Sequence, residues 1–149
     1  MEIVVKSFEE LTNQELYEIL TLRSDVFLIE QNSLYRDCDG KDNLARHMIA
    51  AAEGTVIGCM RLLPAGVSYD TPSFGRFALR KEWRGKGIAK KMMDLAIGEL
   101  QREWQARAIT ISAQAYLKEF YGSFGFKAVS EEYVEDGIPH LHMRCELPG

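Results

Sequence analysis

The residues best able to do chemistry in this sequence are Arg84-Gly85-Lys86-Gly87-Ile88-Ala89, where glycines alternate with cations at the head of an apolar run of helical period. A basic glycine loop that opens a helix leaves backbone N–H groups without intrahelical partners at the positive end of the helix dipole, where phosphate binds well. Gly85 and Gly87 have no Cβ, so an anion can reach the backbone. Arg80, Lys81, Arg84, Lys86, Lys90 and Lys91 set six cations into twelve positions, opposed by Glu82 alone, in a chain of net charge −4. The local excess marks a site for a small anion. The overall negative charge argues against nucleic acid or an anionic membrane as the main partner.

Residue identities sort the known phosphate loops. A Walker loop needs a serine or threonine after the lysine, but Gly87 follows Lys86 and the first glycine is missing. A dinucleotide fingerprint requires a third glycine where Lys90 stands, and belongs to the first strand–helix unit of a parallel sheet. What remains is Arg-x-x-Gly-x-Ala preceded by Phe77-Ala78-Leu79, or else a plain helix start with turn glycines and a solvated basic face. A second chemically able residue is Tyr121, within Phe120-Tyr121-Gly122-Ser123-Phe124-Gly125-Phe126. By residue type alone it also reads as a core aromatic beside Leu117, Phe120 and Phe124.

The elements that must position these residues follow from periodicity. Residues 3–5 suggest a strand, and Thr12-Asn13-Gln14-Glu15 is a capping box with Leu11 and Leu16 as its staple. Leu16, Ile19, Leu20, Val26 and Phe27 extend a helical stripe to about residue 30, as one helix or two. A polar, irregular stretch runs from Gln31 to Arg46. Strands at 48–52 and 55–63 flank a Glu53-Gly54 hairpin. A strand at 74–80, with Phe74, Arg76 and Ala78 on one face, feeds the basic loop. Ile88, Met92, Leu95, Ala96, Leu100 and Trp104 predict a helix to about residue 105. A strand at 109–114, a short helix at 116–123 stopped by Gly125, and strands at 126–134 and 139–147 complete the chain. In the last strand His140, His142, Arg144 and Glu146 form the polar face. This order calls for a mixed sheet covered by helices, in one domain spanning 1–149.

At 149 residues and 46% apolar, the chain is the size of one ordinary domain. Cys38, Cys59 and Cys145 are isolated, which fits reduced thiols in the cytoplasm better than a disulfide frame or zinc site. There is no leader-like N-terminus and no apolar run near the ~20 residues of a membrane span. His47, His140 and His142 are too few, without paired cysteines, to suggest metal.

The loop and the Phe-Tyr-x-x-x-Gly-Phe segment, in this order and separation, resemble the GNAT family of N-acetyltransferases. Resemblance to its ElaA-like branch covers nearly the whole chain through Val26-Phe27, Glu30-Gln31, Tyr35, Asp39-Gly40, Asp42, His47, Gly75-Arg76, Ala113-Gln114-Ala115 and Glu135 to His140. Ser33-Leu34 departs from the Cys-Pro common in that branch. The resemblance implies an α/β fold whose mixed, mostly antiparallel sheet splays between the strands at 74–80 and 109–114. It implies acetyl-coenzyme A as cosubstrate, its diphosphate on Arg84, Gly85, Lys86, Gly87, Ile88 and Ala89 and its pantetheine arm along Phe77, Ala78 and Leu79. An N–H of that strand would be the oxyanion donor. Gln114 either contacts the arm or ends its strand. Tyr121 becomes the general acid, and the acceptor a small-molecule or peptide amine.

Glu30, Asp136 and His140 are the candidate bases, His140 having the most suitable ordinary pKa. Arg61 and Arg76 either hold an acidic group of the acceptor or stay ion-paired. A homodimer is the family's suggestion. The competing readings are a different acyl donor and a noncatalytic acyl-coenzyme A sensor.

Overall fold

A computed structural model describes residues 1–148. Its strands and α-helices run β1 (Glu2–Ser7), α1 (Asn13–Arg23), β2 (Arg46–Ala52), β3 (Thr55–Leu63), β4 (Ser73–Leu79), α2 (Ile88–Trp104), β5 (Ala108–Gln114), α3 (Lys118–Gly122), β6 (Lys127–Ala128), β7 (Tyr133–Glu135) and β8 (Ile138–Glu146). The strands form two antiparallel sheets, ordered β1-β2-β3-β4 and β5-β8-β6, with β7 also pairing β8. β4 and β5 are the facing inner edges. They meet at one end, where Thr110 N–H donates to the Pro72 carbonyl (3.2 Å) and the Thr71 hydroxyl to that of Thr110 (2.7 Å). Beyond this junction both strands run on in the same sense and diverge, so the sheet is mixed at its centre and splayed there. The crossover between them is α2, the connection two strands of like direction require.

Burial explains the two layers. Ile88, Met92, Met93, Ala96 and Leu100 of α2 join Met48, Met60, Leu62, Ile109, Ile111 and Met143 in the larger core. Ile19, Leu22 and Val26 pack on the opposite face of the first sheet, against Ile49, Val56, Cys59 and Ala78. The capping box forms as its sequence implies: Glu15 N–H donates to Thr12 Oγ1 (3.0 Å) and Thr12 N–H to Glu15 Oε1 (2.9 Å). Glu53 and Gly54 take positive φ angles of 55° and 75°, the tight hairpin expected there.

The helical stripe runs to residue 30 as two segments: the α-helix ends at Arg23 and widens into a π-helical segment, Ser24–Glu30, which carries Val26, Phe27 and Glu30 onto the wall of the central cleft. Three expectations need correction. Leu95 of α2 is exposed, whereas Met93 and Glu99 are buried, Glu99 because Arg46 of β2 meets its carboxylate at 3.0 Å. The strand foreseen over 126–134 is two short pieces, because Ser130 Oγ accepts from His142 N–H (2.9 Å) in place of a backbone carbonyl. Finally, β4 does not alternate regularly. Cys59 pairs with Ala78 and Arg61 with Gly75, so Arg76 and Phe77 together oppose Met60 in a bulge, with Arg76 at φ 45°. Phe74, Phe77 and Leu79 consequently share the α2 side and Ala78 faces α1.

Candidate active site

The splay opens a cleft of about 680 Å³ between β4 and β5, closed at its ends by the start of α2 and the β7–β8 hairpin. At the first end Gly85 (φ 76°) and Gly87 (φ 82°) sit in the left-handed region, with open space where a Cβ would stand. The first helical bond of α2 runs from Lys91 N–H to the Gly87 carbonyl (3.2 Å). No side chain caps the helix and its first turn holds no acid. The N–H groups of Ile88, Ala89 and Lys90 therefore point out of the helix end unpaired within it, a donor set that fits a diphosphate.

The strand leading there also offers backbone. Arg80 N–H donates to Ile57 O (2.8 Å), so strand alternation turns the N–H of Leu79 away from β3 and toward the cleft. The Leu79 carbonyl points the same way and accepts from Arg84 Nε (3.0 Å). The rest of the Arg84 guanidinium is bidentate with Glu30, at 2.7 and 3.1 Å. Arg84 and Glu30, expected on opposite sides of the chemistry, are thus joined in a clasp between the π-helical segment and the loop. With both oxygens on Arg84, Glu30 is poorly placed to take a proton.

Tyr121 lines the middle of the cleft. Its ring is caged by Phe120, Phe74 and Phe126 at centroid distances of 5.3, 6.1 and 6.1 Å, and its hydroxyl makes no hydrogen bond among the described residues. Burial, with a smaller contribution from Tyr116, raises its pKa well above the usual phenol value. The group is a neutral donor across the working pH range. Gln114, ending β5, exchanges side-chain hydrogen bonds with Gln31 at 3.0 and 3.4 Å, so it ties the two cleft walls together.

His140 was expected on a polar strand face but is buried, at 7% exposure. Its Nδ1 lies 2.7 Å from the Ile138 carbonyl, which can only accept, so Nδ1 carries the proton and Nε2 a lone pair in the neutral ring. Glu135 Oε2 stands 3.6 Å from Nε2. Asp136, at the hairpin tip, is held through its carbonyl by Ser33 Oγ at 2.9 Å. His47 belongs to the other sheet, its Nε2 bonded to the Asp42 carbonyl, and no acid, thiol or imidazole cluster suited to a metal occurs among the described residues.

One feature of the floor was not read from the sequence. Arg23, 1% exposed, meets Asp37 and Asp42 at 2.8 Å each. Arg61 grips Asp39 with two bonds of 2.7 and 2.9 Å. Arg76 pairs with Asp37 (2.8 Å) and lies over the Tyr35 ring, 5.3 Å from its centroid. Three arginines and three aspartates neutralise one another, so Arg61 and Arg76 are ion-paired rather than free for an acidic ligand. The available signal was the recurrence of Asp37, Asp39 and Asp42 in a stretch read as irregular.

Comparison with known proteins settles the family. Residues 9–147 match the model of the Acetyltransferase (GNAT) domain. The chain belongs to the GNAT acyltransferase family. Among GNAT proteins it is similar to Escherichia coli ElaA, with 34% identity over 140 residues, 93% of this chain and 92% of that one. The crystal structure of ElaA superposes with a TM-score of 0.91 at 33% identity, covering 97% of this chain and 99% of that one. An acyl-CoA N-acyltransferase from Pseudomonas aeruginosa gives 0.92 at 35% identity with the same coverage. As a GNAT acyltransferase, the chain belongs to a family whose members use acyl-coenzyme A. No helix among the described residues is long and apolar enough to cross a membrane.

Proposed function

We propose that this GNAT protein moves the acetyl group of acetyl-coenzyme A to an amine by direct attack. The observation that carries the reading is one cleft that joins an uncapped helix start, an unpaired strand edge, a buried phenol with a free hydroxyl, and a histidine with a free Nε2. Bound acetyl-coenzyme A would supply the thioester electrophile, held by the N–H groups of Ile88, Ala89 and Lys90 and by the edge of Phe77, Ala78 and Leu79. Lys86, Gly85 and Gly87 complete the anion site.

An alkylamine with pKa ~10.4 is only about one part in a few thousand neutral at pH 7, so a proton acceptor accelerates attack. His140 Nε2 takes the proton from the acceptor ammonium, and the charge formed on the ring faces Glu135. The freed nitrogen pair forms the C–N bond. Negative charge developing on the acyl oxygen meets an outward N–H of β4. As the C–S bond breaks, Tyr121 donates a hydrogen bond to the departing sulfur and then its proton. The second proton of the attacking nitrogen leaves to water, from which Tyr121 recovers its own.

The test is thiol release from acetyl-coenzyme A across polyamines, amino acids, aminoglycosides and peptides, with Gly87→Trp as the loop-blocked control. Acceptor-dependent release that the control abolishes supports the reading. Coenzyme binding without release by any acceptor favours a sensor, release only from a longer acyl-coenzyme A favours another donor, and no binding refutes the assignment.

A further inference from the structure

We propose that the acceptor is an aliphatic di- or polyamine, one ammonium of which is held by Glu135 and Asp136 while a second amine is delivered to His140. This rests on the acyl-transfer reading above and names its substrate class.

The charge inventory of the cleft carries the inference. Every arginine lining it is already matched by carboxylate: Arg61 by Asp39 and Asp42, Arg76 by Asp37 and Asp39, Arg84 by Glu30. Lys90 lies in the first turn of α2, at the coenzyme end. At the other end stand two carboxylates without a permanent cation. Glu135 has only the Ser112 hydroxyl at 3.4 Å and the His140 ring at 3.6 Å, and the Asp136 carboxylate has no ion pair or hydrogen bond among the described residues.

Both residues are held in position, Glu135 through its side chain and Asp136 through its backbone. The hairpin turns through Asp136 (φ 52°) and Gly137 (φ 78°), Ser112 binds Glu135 from β5, and Ser33 binds the Asp136 carbonyl from across the cleft. Two further groups point to a ligand rather than to a solvated acidic turn. His140 and Tyr121, each 7% exposed and lining the same cavity, leave Nε2 and the hydroxyl without a hydrogen-bond partner among the described residues. A cation held by Glu135 and Asp136 would therefore lie within a short alkyl chain's reach of the nitrogen that His140 deprotonates, Glu135 Oε2 standing 3.6 Å from Nε2. An amino acid would instead set its carboxylate against Glu135 and Asp136, with each cleft arginine already ion-paired and the Nε atoms of Arg61 and Arg76, which make no hydrogen bond among the described residues, buried out of a ligand's reach.

The experiment compares kcat/KM for putrescine, butylamine and γ-aminobutyrate, which share a four-carbon chain and differ at the far end. Two solvent-facing ion pairs support a preference of about tenfold for putrescine over butylamine, with γ-aminobutyrate poorer still. The preference should shrink as salt is raised, because screening shortens the reach of exposed charges. Glu135→Gln combined with Asp136→Asn should bring the putrescine-to-butylamine ratio close to one, with circular dichroism confirming the fold. Equal use of putrescine and butylamine, preference for γ-aminobutyrate or for a lysine peptide over every diamine, or a ratio unmoved by the double variant overturns the proposal. If acetyl-coenzyme A binds but no acceptor releases thiol, the acyl-transfer reading fails separately. Calorimetric titration of putrescine into the coenzyme-bound protein then decides: binding weakened about tenfold by the double variant sustains the site, and absence of binding removes it.

Discussion

Removing a single oxygen, Tyr121→Phe, separates the chemical role of this ring from its packing role. The ring is wedged among Phe74, Phe120 and Phe126, contacts that phenylalanine keeps, and the hydroxyl has no protein partner to lose. Thermal stability should therefore change by less than about 1 kcal/mol, a shift of a few degrees at most. Turnover should not be spared. Proton transfer from a phenol of pKa ~10 to a thiolate of pKa ~8.5 is uphill by about 2 kcal/mol, and burial of Tyr121 steepens it. The hydroxyl thus acts chiefly by donating a hydrogen bond to developing charge, an interaction worth roughly 1.5–3 kcal/mol. That range corresponds to a loss of about 10- to 150-fold in kcat. The assay is steady-state thiol release with saturating acceptor, alongside coenzyme dissociation constants and melting temperatures for both proteins. Unchanged kcat would remove Tyr121 from the mechanism. A loss in kcat matched by lost coenzyme affinity or a collapsed melting temperature would show that the ring, not the hydroxyl, is what matters.

His140→Gln should lower kcat by about 10²-fold with coenzyme affinity kept, read from steady-state thiol release and coenzyme titration; an unchanged kcat assigns the base elsewhere. Arg23→Ala leaves Asp37 to Arg76 and Asp42 to Arg61 alone and should destabilise the fold by up to about 3 kcal/mol, measured by urea unfolding. Acid should destabilise the protein in two stages. Burial lowers the His47 pKa, so its contribution is intact above the ordinary histidine value of ~6.5 and is lost as pH falls below it. Burial of Asp39 opposes ionisation, but the hydrogen bonds and charge of Arg61 prevail and hold its pKa at about 2. Its contribution is complete above the ordinary carboxylate value of ~3.9 and disappears as pH falls toward 2. Melting temperatures between pH 8 and 2 follow both stages, and His47→Gln should erase the first alone.

How much of this was legible in the sequence depended on whether neighbours in the chain do the work. The capping box, the Glu53-Gly54 hairpin and the start of α2 are local devices, written in residues within four positions of one another, and each formed where its spacing implied. Glu99 and Leu95 exchanged places because a buried acid became tolerable once Arg46, on a distant strand, lay beside it. The alternation along β4 failed at Arg76 for a similar reason. Its side chain answers to Asp37, Asp39 and Tyr35, all about forty positions earlier, and the backbone bulges where it does so.

The same distinction runs through the cleft. The end proposed for the coenzyme consists mainly of backbone: unpaired N–H groups of one helix turn and one strand edge, which need only glycines and a break in pairing. Such a site shows as a short motif because few residue identities satisfy it. The acceptor end is built from side chains of the π-helical segment, the 31–42 stretch, β5 and the β7–β8 hairpin, brought together only by the tertiary fold. No spacing announces it, and Glu30 illustrates the cost. As an isolated acid beside a recognisable segment it was a candidate base; in the folded chain it is the counter-ion of Arg84. That clasp also links the two ends, since an anion that drew Arg84 away would free Glu30 at the mouth of the acceptor half. On the proposed reading the acceptor is recognised by the carboxylates left over at that end when every such pair has been made, and those are Glu135 and Asp136.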